Sequence, residues 1–160
     1  MTTVVVVLLV LVVSAAVAAS VVVRTNKRKF AEANQVVPGS ATKAPAAWAG
    51  AHSEEARLHR RLRDAVESLR ANPVMEDAFM MDARVSLEQQ ALAVDERLIA
   101  VAALPERVRD EPMASVAAAV DALETAVAAV VTVPGERSGV DQAMAEVADK
   151  VAQLEQGGSV

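Results

Sequence analysis

Two histidines and one carboxylate, His52, Glu55 and His59, are the one set in this chain spaced for metal ligation. Glu55 and His59 lie four apart and would share a helix face, with His52 near the helix start. A zinc site wants a fourth ligand and outer partners that orient the ring nitrogens, and the neighbouring sequence offers neither. Both histidines also fall off the apolar stripe of Leu58, Leu62 and Val66, which assigns them to the solvent face. The reading is no metal and no cofactor, with a small-ligand or metal-binding helical module as the alternative.

The second set is basic: Arg57, Arg60, Arg61 and Arg63. Arg60/Asp64 and Arg63/Glu67 are spaced for i,i+4 ion pairs along a solvated helix face. Arg57, Arg60 and Arg61, together with Trp48 upstream, are candidates for docking a protein partner. Trp48 has three readings: a docking motif, an interfacial membrane contact, or a cap folded back on the helical body. A third set, Glu88, Asp95 and Glu96, lacks the Glu-x-x-His pairs of bundle di-metal sites and is expected outside the apolar seam.

The rest of the catalogue of chemistry is empty. The chain has no cysteine, no Gly-rich phosphate loop, no G-x-S-x-G and no H-E-x-x-H. It has no tyrosine, and Phe30, Phe79 and Trp48 are its aromatics. Without large aromatic burial to build a rigid pocket, an enzyme is not expected.

Charge divides the sequence. Residues 53–160 hold eleven basic and twenty acidic residues, a net of −9, whereas residues 1–52 hold five basic residues and one acid. An acidic body repels phosphate backbones, so nucleic-acid binding is not expected.

The elements that must carry these residues are helices. Ser53 offers an N-cap, Glu54 and Glu55 sit in the first turn, and Leu58, Leu62, Val66 and Leu69 form a stripe ending at Asn72-Pro73. Pro73 suits the first position of the next helix, with Asn72 as its cap. There Met80, Leu87, Val94 and Val101 recur every seven residues, joined by Ala91 and Leu98, with Arg84 as a polar intrusion, and the pattern stops at Leu104-Pro105. From Pro112, the residues Met113, Val116, Val120, Leu123, Val127 and Val130 give the cleanest helical period, ending near Thr132. Ser138 with Asp141 resembles a capping box for a last helix carrying Val140, Val147, Val151 and Leu154. The expected body, residues 53–156, is all-α: an antiparallel up-and-down bundle or a coiled-coil hairpin, with residues 157–160 as a disordered tail.

Ahead of it, residues 35–52 are rich in Pro, Gly, Ala and Ser and read as a linker. Fully extended at ~3.3 Å per residue, it would span ~50–60 Å. Residues 1–34 read as a transmembrane anchor with a basic juxtamembrane segment. Val4 to Val23 is uncharged, with only Ser14 and Ser20 as polar residues, and twenty residues make a helix of roughly 30 Å, the thickness of a bilayer core. Arg24, Lys27, Arg28 and Lys29 follow at once, which orients the N-terminus outward and the bulk of the chain into the cytoplasm at the inner face of the plasma membrane. Small residues four apart, Ser14/Ala18, Ala15/Ala19 and Ala16/Ser20, permit a homodimer through this helix. The competing reading is a signal peptide cleaved after Ala18 or Ser20, giving a secreted protein.

In layout the chain resembles the LemA family: a short external N-terminus, one N-terminal anchor, a cytoplasmic helical body, and a tryptophan ahead of a Leu-x-Arg-Arg element, here Trp48 and Leu58-His59-Arg60-Arg61. That family's tyrosine–asparagine signatures have no counterpart in a chain without tyrosine, so the likeness is architectural and family membership is not implied. The function expected is that of a membrane-anchored interaction or scaffolding domain.

Overall fold

A computed structural model describes residues 34–73, 78–132 and 137–157. Residues 1–33 of the expected anchor, with Arg24, Lys27, Arg28 and Lys29, and the last three residues of the tail lie outside the described residues. From Asn34 onward the chain is a helical bundle, with no strand among the described residues.

Helix α1, Glu54–Ala71, begins where Ser53 Oγ accepts the Ala56 N–H at 3.4 Å. Glu54 and Glu55 oppose the positive end of its dipole and Arg70 sits in the last turn. It ends at Asn72 in an extended conformation (φ −81°, ψ 117°), because the ring of Pro73 excludes the helical region for the residue before it. Asn72 therefore closes α1; Pro73, the expected first position of the next helix, is followed by residues 74–77, which lie outside the described residues.

Helix α2, Ala78–Ala102, buries Met80, Ala83, Leu87, Ala91, Val94, Leu98 and Val101 at spacings of three or four. Ala83 takes the place in the seam that the heptad count gives to Arg84, which lies half-buried at its edge. Leu104 leaves the helix in a turn, and Pro105 leads into one turn of 3₁₀ helix, Glu106–Val108. Arg109 ties this corner together: Nε and Nη2 donate to the Leu104 carbonyl at 3.2 and 2.9 Å, and Nη1 donates to Glu55 Oε1 at 2.9 Å.

Helix α3, Asp110–Thr132, starts two residues ahead of Pro112. A proline is tolerated in a first turn, whose N–H groups have no intrahelical partner. Met113, Val116, Ala119, Val120, Leu123, Ala126, Val127 and Val130 form its buried face. Helix α4, Arg137–Gln156, buries Val140, Val147 and Leu154.

Named contacts fix the directions. His59 meets Asp95 and Arg70 meets Glu88, so α1 and α2 run antiparallel. Glu55 meets Arg109 and Arg61 meets Glu124, so α1 and α3 run parallel. Helices α2 and α3 each pack on all the others, which places α1 and α4 on opposite flanks of that central pair. Alanine at 83, 91, 119 and 126 lets the backbones approach, and each fully buried leucine or valine removed from water adds about 1.5–3 kcal/mol. By length and apolar content α3 alone among the described helices is capable of crossing a membrane. Here it is the core helix of the bundle, carrying Asp121 and Glu124 mid-length to meet Arg61.

Residues 35–52 differ most from expectation. They do not extend as a spacer but lie on the body as a strap, with Val36 and Val37 buried and Trp48 only 9% exposed in a short 3₁₀ turn, Ala46–Ala49. The strap lacks periodicity because long-range contacts hold it, not a repeating local pattern. Its one sharp reversal, Val37-Pro38-Gly39-Ser40, closes with Ser40 N–H donating to Val37 O at 3.0 Å and uses glycine at φ +90°.

Candidate functional site

The strap, α1 and α2 meet at a buried polar cluster centred on His59. Its ring is turned inward, contrary to the solvent position expected from sequence, and is 1% exposed. Nδ1 lies 2.6 Å from Asp95 Oδ1 and Nε2 lies 2.9 Å from the Asn34 carbonyl. Asp95, expected on the outside of α2, is 4% exposed, and its second oxygen accepts from Thr42 Oγ1 at 3.5 Å. Thr42 Oγ1 in turn accepts the Ala44 N–H at 3.0 Å. The Trp48 ring meets His59 edge-on, with centroids 5.6 Å apart and an interplanar angle of 62°.

Two arginines extend the clasp. Arg60 Nη1 donates to the Trp48 and Ala51 carbonyls at 3.1 and 2.7 Å, closing the end of the 3₁₀ turn. It thus serves the strap instead of the Asp64 pairing expected along the helix. Arg70 Nη1 reaches the Pro38 carbonyl at 3.4 Å. Further out, Lys43 and Glu96 form an exposed pair at 3.4 Å.

Of the docking candidates Trp48, Arg57, Arg60 and Arg61, only Arg57 is exposed. Trp48 adopts the fold-back position. Arg61 bridges α1 to α3, with Nε donating to Glu124 Oε1 at 2.9 Å and Nη2 to Asp121 Oδ1 at 2.7 Å. The Glu124 carboxylate, then that of Asp121, raises the tendency of this guanidinium to hold its proton. Arg63 bonds the adjacent Asp64 carboxylate at 2.7 Å.

The set His52, Glu55 and His59 is not brought together. His52 is exposed and His59 is committed to Asp95. Glu55 is committed to Arg109, and its carboxyl is held below its ordinary 4.5 by backbone hydrogen bonding at the helix start, then by Ser53 and Arg109, against the opposing effect of burial. Among the described residues no group of three or more His, Asp and Glu side chains converges.

A histidine oriented by a carboxylate is also half of a nucleophilic catalytic arrangement. Here the other nitrogen faces a backbone carbonyl where a nucleophile would have to stand, and the ring is shut off from solvent. The arrangement can hold a proton and fasten a segment. Sequence reasoning missed Asn34 and Thr42, and it named Asp95 but placed it on the outside of its helix. The available signal was position: His59 and Asp95 each directly follow a stripe residue, Leu58 and Val94, so any element laid beside the stripe covers them.

No family model, curated protein or solved structure matches this chain.

Proposed function

We propose that this protein is a single-pass membrane protein whose helical body acts as an interaction or scaffolding domain on the cytoplasmic side of the plasma membrane. The observation that supports the anchor is the uncharged run from Val4 to Val23 followed at once by Arg24, Lys27, Arg28 and Lys29. The body's character supports the rest of the reading. Its polar side chains His59, Arg60, Arg61 and Arg109 join helix to helix or strap to helix, and its surplus of acid disfavours nucleic acid as a partner. Met81 and Val85, one turn apart on α2 and each 43% exposed, give a protein partner an apolar foothold.

Proximity labelling from the C-terminus, compared with a chain lacking residues 1–29, tests the proposal. Enrichment of a compact set of inner-membrane proteins only when residues 1–29 are present is the expected result. Labelling of an extracytoplasmic neighbourhood, or a mature N-terminus beginning after Ala18 or Ser20, overturns it.

A further inference from the structure

We infer that the strap closes as a proton-coupled step, with His59 and Asp95 sharing one proton more in the closed state than a neutral imidazole beside a carboxylate would hold. The inference comes from counting donors. A neutral imidazole has one N–H and one lone pair. The Asn34 carbonyl, 2.9 Å from Nε2, can only accept, and an ionised Asp95, 2.6 Å from Nδ1, can only accept. Two short contacts to two acceptors need two hydrogens, whichever atom the proton between Nδ1 and Oδ1 formally sits on. Remove one, and a lone pair faces an oxygen in a place no water reaches, which is the costly way to bury a polar atom.

Among the described residues, the charged groups around the ring do not replace that hydrogen. From α2 the facing group is Asp95 itself. On α1, Glu55 one turn earlier is engaged by Arg109, and Arg63 one turn later bonds Asp64. From the strap, Lys43 is exposed and pairs with Glu96. Opening the strap frees the Asn34 carbonyl and the imidazole to bind water, so it relieves the conflict. The closed state takes up a proton, and by linkage acid favours closure and base favours opening, by at most tenfold in the equilibrium for each pH unit. Helices α3 and α4 make none of these contacts, so the bundle persists while the strap is released.

The test uses the full chain in mild detergent, with Trp48, the single tryptophan, as reporter. On raising the pH, its emission shifts to the red and tryptic cleavage after Lys43 accelerates by up to about tenfold per pH unit, while far-UV circular dichroism stays constant. His52→Gln retains the transition and His59→Gln loses it. ¹⁵N and ¹³C spectra of the unsubstituted chain show, in the closed form, both His59 ring nitrogens protonated or one protonated beside a neutral Asp95 carboxyl, a readout that does not depend on any variant folding. A single protonated nitrogen in the closed form with Asp95 ionised overturns the inference. So does a rise in emission intensity with no red shift and no faster cleavage, which is proton loss without opening, and so does a red shift that coincides with loss of helicity.

Discussion

The two flanks of the bundle are fastened by different chemistry. On the α1 flank the buried stripe of Leu58, Leu62, Val66 and Leu69 is overlaid by polar, long-range contacts: His59 with Asp95 and Asn34, Arg60 with the carbonyls of Trp48 and Ala51, Arg70 with Pro38 and Glu88. On the α4 flank Val140, Val147 and Leu154 close on α3 with Ala143, Met144 and Val151 half-buried around them. Apolar packing is non-directional and tolerates small shifts, whereas each polar contact is made in one geometry and is costly when half-made. Both sides therefore supply stability of a generic kind, and the α1 side adds to it a specific fastening of the strap that can be undone one proton or one residue at a time.

Substitutions can break or sharpen that contrast. The largest loss is expected in the shared core: Leu123→Ala, at a fully buried position of α3, lowers unfolding free energy by about 3 kcal/mol. Denaturant unfolding followed by helicity checks it, with both flanks lost in one transition. Asp95→Ala leaves the His59 ring buried without its carboxylate and costs about 2 kcal/mol. The companion variant His59→Leu with Asp95→Leu, which removes both polar groups, should recover most of that loss in helicity while leaving Trp48 emission shifted to the red. If the double variant is as destabilised as the single one, the polar contacts carry bulk stability and the contrast fails.

Arg61→Ala removes a bridge whose side chain is 39% exposed, so after solvent screening the expected loss is ~1 kcal/mol or less. The smallest effect belongs to Glu55. Its carboxyl lies below its ordinary 4.5, so its contribution is complete above that pH and is lost as the pH falls through the lower folded value. Unfolding measured from pH 5 downward should show a slightly shallower acid loss for Glu55→Gln than for the unsubstituted chain.

How much of this was legible in the sequence follows the same division. The stripe Met113, Val116, Val120, Leu123, Val127 and Val130 was written in the spacing of α3, and all six residues are buried. The stripe of α1, from Leu58 to Leu69, is buried in the same way. These succeed because a repeating apolar face has one economical solution, which is to point inward. The strap was not legible. Val36, Val37 and Trp48 have no local period, and the strap that carries them is held through Asn34, Thr42 and Trp48 by His59 and Asp95, which come from two different helices. The reading of Arg60 as paired along its own helix, and of Arg61 as an exposed docking residue, fails for a related reason. Sequence spacing shows only neighbours on the same helix, and their partners came from the strap and from α3. Two residues beside a stripe are buried or exposed according to what else the fold lays over them, and a single helical pattern carries no record of that.

The reach of the clasp along the chain sets an order of events at the ribosome. Thr42 must wait for Asp95, 53 residues downstream. At roughly 5–20 residues per second, that is a delay of about 3–10 s after the strap has been made. Through that interval the strap has only α1 to lie on and the clasp lacks its carboxylate, and any factor that grips nascent apolar segments has its opening there. The appearance of α2 ends it, so the second helix serves the first segment as an intramolecular chaperone.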